Sequence, residues 1–127
     1  MPSIMVVDDS VEIQRLLKEI LELEGHSVST ASGCDQALEM FKSDPVEIVI
    51  TDLCMPEKSG LDIIKAIKSD GQNTKIIAIS GGPGNSGGRT VYDDMLDSAS
   101  KLGADEVLPK PFERRDILSS IESVLSD

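Results

Sequence analysis

The chain has no tryptophan, one tyrosine and two phenylalanines among its 127 residues. So few rings leave an aliphatic core as the only kind it can build, and little to stack on a flat cofactor. Cysteine is nearly as scarce. Cys34 and Cys54 form no CxxC pair, and His26 is the only histidine. A zinc site draws on about four such ligands, so that class is excluded. A disulfide is not expected in a reducing compartment, and both cysteines read as plain small residues. No apolar run approaches the roughly 18–20 residues that cross a bilayer. No basic stretch followed by a long apolar one opens the chain, so no secretory signal is apparent and the cytoplasm is the expected location. Basic residues are also in deficit, 12 against 23 acidic, for a net charge of −11. Nucleic-acid binding needs a basic face to displace counterions, and the balance argues against it.

What is present is an alternation of short apolar runs with helical segments. Residues 3–7 form the first predicted strand. Residues 11–24 carry Ile13, Leu16, Leu17, Ile20 and Leu21 at helical spacing, with Ser10 as N-cap and Gly25 as stop. Residues 26–30 are short and polar, as an edge strand should be. Ser32 is the expected cap of a second helix over 35–41, with Ala37, Leu38 and Phe41 inward and Asp44-Pro45 ending it. Residues 47–51 are nearly all apolar, which predicts a central strand covered on both faces. A turn near Lys58-Ser59-Gly60 leads into a third helix over 61–69, with Ile63, Ile64 and Ile67 inward. Residues 75–80 are the fourth strand. A Gly-rich stretch over 81–88 precedes a fourth helix over 91–102, which Gly103 ends. Residues 106–109 form the last strand, and an amphipathic helix over 114–125 closes the chain. The alternation implies one domain, 1–127, of parallel strands joined by right-handed crossovers.

Four of the apolar runs end on residues that belong together chemically. The first runs into Asp8-Asp9, the third into Asp52, the fourth into Ser80 and the fifth into Lys110-Pro111. Parallel strands bring all four tips to one edge of the sheet, where open α/β sheets place their ligands. The carboxylates of Asp8, Asp9 and Asp52 repel one another, and a hard divalent cation relieves that repulsion. Oxygen ligands of this kind suit Mg2+, which uses one or two carboxylates plus phosphate. A carboxylate is also a nucleophile that can form an aspartyl phosphate. Ser80 can donate a hydrogen bond to a phosphoryl oxygen, and Lys110 can neutralise developing charge. Taken singly, each residue has an ordinary explanation: an N-terminal cap for Asp8-Asp9, a turn at Asp52, a loop serine, a solvated lysine. Four such coincidences in this order make the functional reading the better one.

The set resembles the receiver domain of two-component response regulators, over essentially the whole chain. That pattern has an acidic pair after strand one, a phosphoacceptor Asp after strand three, Ser or Thr after strand four, and Lys-Pro after strand five. Here these are Asp8-Asp9, Asp52, Ser80 and Lys110-Pro111, and Asp52-Leu53-Cys54-Met55-Pro56 followed by Gly60 looks like the signature that follows the acceptor. The resemblance implies a flavodoxin-like, doubly wound five-stranded parallel sheet in the order 2-1-3-4-5 with five helices. It implies that Asp9 and Asp52 bind Mg2+ directly, that Asp8 does so directly or through water, and that the Cys54 backbone carbonyl completes the protein ligands. It also implies a cis Lys110–Pro111 bond, which aims Lys110 inward. The expected function is that of a stand-alone phosphoacceptor. A histidine kinase or histidine phosphotransfer protein phosphorylates Asp52, and the receiver assists its own phosphorylation and dephosphorylation without being an enzyme toward outside substrates. A face of the fourth helix, fifth strand and fifth helix then engages a downstream protein, with neither nucleic acid nor membrane as partner.

Two features depart from that pattern. Val107 stands where receivers usually carry an aromatic three residues before the Lys, and a valine cannot swing as a ring does. Switching is therefore expected to rely on ordering of the loop around 81–90. Gly81, Gly82, Gly84, Gly87 and Gly88 make that loop long for the family, either as a lid or partner surface or as a tolerated insertion. Tyr92 is expected to pack on the fourth helix, with a substitute switch ring as the alternative, and His26 is expected to lie on the surface.

Three rival readings fit the residues less well. Residues 83–90 nearly mimic a nucleotide-binding phosphate loop, but Pro83 and Arg89 stand where Gly and Lys belong. A small aspartate-nucleophile phosphatase carries a second Asp two residues after its nucleophile, where this chain has Cys54. A flavodoxin-like flavin carrier would face an acidic rim that repels the flavin phosphate.

Overall fold

A computed structural model describes residues 3–52, 60–69, 73–80, 103–109 and 112–126 of the protein. Five strands, β1 (Ser3–Val7), β2 (Ser27–Ala31), β3 (Ile48–Asp52), β4 (Lys75–Ser80) and β5 (Glu106–Pro109), form one sheet. Every pairing is parallel and the order is β2-β1-β3-β4-β5, the doubly wound arrangement expected. Four helices are described: α1 (Val11–Leu23), α2 (Cys34–Ser43), α3 (Gly60–Ser69) and α4 (Arg114–Ser126). The predicted helix over 91–102, Tyr92 and the Gly-rich stretch over 81–88 lie outside the described residues.

Alternation along the strands divides the core in two. Met5, Val7, Val49, Ile76 and Ala78 face α2 and α3, where Ala37, Phe41, Ile63, Ile64 and Ile67 meet them. Ile4, Val6, Ile48, Ile50, Ile77 and Ile79 face the other way, against Leu17 and Leu21 of α1 and Ile117, Ile121 and Val124 of α4. Both clusters are almost wholly aliphatic, as the scarcity of rings requires. Helices on both sides explain why β1 and β3 read as continuous apolar runs.

Local signals set most of the boundaries. Ser10 caps α1, its Oγ accepting from the Ile13 N–H at 3.4 Å. Gly25 follows the C-cap at φ 91°, a conformation that suits a residue without Cβ. Other expectations need correction. Ser32 does not cap α2, whose N-cap is Gly33 with no side-chain bond. The Ser32 Oγ is taken instead by Gln14 of α1, at 3.2 Å. Strands β2 and β3 each lie one residue later than the pattern suggested, because register with β1 decides their ends. Leu16 fits the helical spacing yet is exposed, whereas Gln14 is buried beside Leu17 and Leu21. His26 is half-buried rather than on the surface, because its backbone N–H is tied to the Leu21 carbonyl at 3.1 Å and its Nδ1 is shielded from solvent.

Candidate functional site

The carboxyl ends of β1 and β3 are adjacent, and each delivers acid to the rim of the sheet. Asp52 is the last residue of β3, in register with Ile79 of β4 and on the same face as Ile48 and Ile50. Its exposure is only 5%, and that of Asp8 only 2%. Asp9 is exposed. One carboxylate oxygen from each of the three lies within 4.8 Å of the others. Two carboxylates at that separation repel by about 3 kcal/mol if the effective dielectric constant is about 20. Such a cluster is favourable when a cation sits among the oxygens.

The backbone around Asp8 is held firmly. Its N–H donates to the Ala31 carbonyl at 3.1 Å, which extends the β1–β2 ladder past Val7. Its Oδ1 accepts from the Ser10 N–H at 2.8 Å, and its carbonyl accepts from Gln14 Nε2 at 2.6 Å. Beneath Asp52, fully buried Thr51 donates through Oγ1 to the Asp52 carbonyl at 3.1 Å. The rim is thus carried by two apolar strands and fixed by short polar contacts below it.

Asp8, Asp9 and Asp52 are the predicted residues the structure brings together. Ser80 ends β4 opposite Pro109 of β5, which puts its backbone on the same rim; its side chain is outside the described residues. Cys54 and Lys110 also lie outside the described residues, and the Lys110–Pro111 bond with them. Gln14 was missed in the sequence. The signal was available, since the inward stripe of Leu17 and Leu21 continues back one turn to position 14.

The donor set fits a divalent cation. All three carboxylates offer hard oxygens, and two of them are withdrawn from solvent. Val107 is 38% exposed on β5.

Comparison with known proteins agrees with this geometry. The family model described as the response regulator receiver domain matches residues 4–122. The transcriptional regulatory protein CpxR of Escherichia coli K12 is 36% identical over 125 residues, covering 98% of this chain and 50% of that protein. The response regulator MprA of Mycolicibacterium vanbaalenii is 30% identical over 124 residues, covering 96% of this chain and 49% of its own length. Among solved structures, a response regulator receiver domain protein from Clostridium thermocellum superposes with a TM-score of 0.87 at 31% identity, covering 99% of this chain and 95% of that one. Vibrio cholerae chemotaxis protein CheY4 gives a TM-score of 0.83 at 25% identity, covering 98% of each chain. The chain therefore belongs to the receiver domain family of two-component response regulators, a family of phosphoacceptor switches that are generally not catalytic enzymes. It spans about half the length of the curated relatives it matches. Among the described residues, no helix is long and apolar enough to cross a membrane.

Proposed function

We propose that the protein is a Mg2+-dependent phosphoacceptor in which Asp52 receives a phosphoryl group from a histidine kinase or a histidine phosphotransfer protein. The observation that carries this reading is the meeting of the Asp8, Asp9 and Asp52 carboxylate oxygens within 4.8 Å at adjacent strand tips. In the transfer, the bond from phosphorus to the donor's imidazole nitrogen breaks as a bond from an Asp52 carboxylate oxygen to phosphorus forms. Asp8, Asp9, Asp52 and the Cys54 backbone carbonyl would hold Mg2+, which when bound supplies positive charge to the phosphoryl oxygens. Ser80 donates a hydrogen bond to one of those oxygens, and Lys110 neutralises another. Burial of Asp52 at the end of β3 fixes the nucleophile's direction, so that reaction needs little reorganisation of the protein.

The acyl phosphate adds negative charge and acceptor oxygens at the rim. Ser80 and Lys110 move to meet them, and the face built from residues 91–102, β5 and α4 shifts toward its partner-binding state. With Val107 in place of a ring, the shift runs through the 81–90 loop. The output is a contact with another protein in the cytoplasm. Mixing the protein with Mg2+ and acetyl phosphate, then comparing wild type with Asp52→Asn by intact mass, tests the assignment. A phosphoryl adduct on the wild type alone is the expected result. An adduct that persists in Asp52→Asn, or none on either, overturns it.

A further inference from the structure

Gln14 is the only polar residue among the three that α1 buries. It is nine-tenths or so withdrawn from solvent, at 9% exposure, and its amide points at the strand tips. Nε2 lies 2.6 Å from the Asp8 carbonyl oxygen, 3.2 Å from Ser32 Oγ and 3.5 Å from the Ala31 carbonyl oxygen. An amide nitrogen carries two hydrogens, so the two shorter contacts are its donations and the third is shared. The two peptide units that flank Asp8 are thereby both held: the preceding one through its N–H by the Ala31 carbonyl, and the following one through its carbonyl by Gln14. Ser32, in turn, gives its own N–H to Gln36 Oε1 at 2.8 Å, which anchors the far end of the bridge on α2.

Gln14 holds the Asp8 main chain through a side chain, where Ala31 does so through its backbone. It is also neutral. A lysine or arginine here would satisfy the same carbonyl while cancelling negative charge beside the carboxylates, whereas the carboxamide orients Asp8 and leaves the rim's charge available to a cation. Fixing the planes on both sides of Asp8 fixes the direction in which its side chain leaves the chain, and the plane that Gln14 holds leads directly into Asp9. A small rotation there changes the separation of their oxygens from that of Asp52.

We infer that Gln14 is a positioning residue for the cation site, setting its Mg2+ affinity by holding the Asp8 peptide and coupling it to the turn between β2 and α2. The inference rests on the reading of the rim as a Mg2+-dependent phosphoacceptor site. Partners that orient metal ligands without touching the metal typically contribute 10–100-fold in affinity.

Calorimetric Mg2+ titration of wild type, Gln14→Met and Asp9→Asn tests it. Gln14→Met keeps the length of the side chain and removes both donors. Its Mg2+ dissociation constant should rise about tenfold or more, while the rate of acetyl phosphate modification at saturating Mg2+ stays near that of wild type. A purely structural role would lower the urea midpoint and leave the dissociation constant unchanged, and that result overturns the inference. A measurement on the wild type covers the case in which the variant fails to fold. In an isotope-labelled sample, the Gln14 carboxamide resonances should shift with the same Mg2+ midpoint as the Asp9 backbone amide. Carboxamide signals that stay fixed while the Asp9 amide titrates overturn the inference and leave the proposed function standing. A wild type without Mg2+ affinity overturns both.

Discussion

β3 and β2 belong to the same sheet but lie at opposite ends of its range of burial. All five residues of β3 are buried, while β2 runs from exposed Ser27 through three half-buried residues to buried Ala31. The central strand is covered on both faces and paired on both edges, so its register is overdetermined and its terminal side chain is delivered to one place. The edge strand is paired on one side only and is polar, which guards against association through the open edge. A carboxylate at the tip of a strand like β3 is a positioned reagent. The tip of β2 contributes instead at the neighbouring β1 tip, where the Ala31 carbonyl accepts from the Asp8 N–H and Ser32 Oγ accepts from the Gln14 carboxamide. Between these two strands the labour is divided: β3 carries chemistry and β2 carries alignment.

Breaking the central strand's tip should have the largest effect. Asp52→Asn is expected to abolish acyl phosphate formation, read by intact mass after acetyl phosphate and Mg2+ treatment, with the fold retained by circular dichroism. Next come the strands themselves. Ile50→Ala in β3 should cost about 3 kcal/mol in urea unfolding, within the range for large-to-small core changes. Val28→Ala in half-buried β2 should cost about 1 kcal/mol or less. Equal losses at the two sites would remove the contrast.

The rim gives a sharper test, because its sign depends on the cation. Saturating Mg2+ at a hundredfold excess over its dissociation constant should stabilise the wild type by about 2.7 kcal/mol. Without Mg2+, Asp8→Asn should be about 1 kcal/mol more stable than wild type, since it relieves repulsion among like charges and keeps an acceptor for the Ser10 N–H. Adding Mg2+ should reverse that order, and thermal melts with Mg2+ or with a chelator report it. The smallest effects separate the two serines. Ser10→Ala removes a helix cap and should cost about 1 kcal/mol. Ser32→Ala, with no helix to cap, should change stability by a few tenths of that and act on Mg2+ affinity instead.

The strands were legible because each is a short apolar run that stops at a polar residue, as at Val7-Asp8 and Ile79-Ser80. The acidic site was legible for a related reason. Parallel strands of one sheet end on one edge, so chain direction alone brings Asp8, Asp9 and Asp52 to the same rim. Ser10 could be read as a cap because a hydroxyl just before an amphipathic stretch has one dominant use. Ser32 looks the same in the sequence, but its Oγ is claimed across 18 residues by Gln14. Leu16 and Gln14 exchange the roles their polarity predicts, since the direction in which α1 lies against the sheet decides which residues turn inward.

The sequence by itself determined the period of alternation, the number of strands and the residues that lie at their tips, because apolar patterning and chain direction are properties of adjacent residues. Only the tertiary structure decided which carboxylates are withdrawn from solvent, how close their oxygens come, and which buried amide holds the backbone beneath them. Those depend on register and helix orientation, set by packing between segments that have no proximity along the chain.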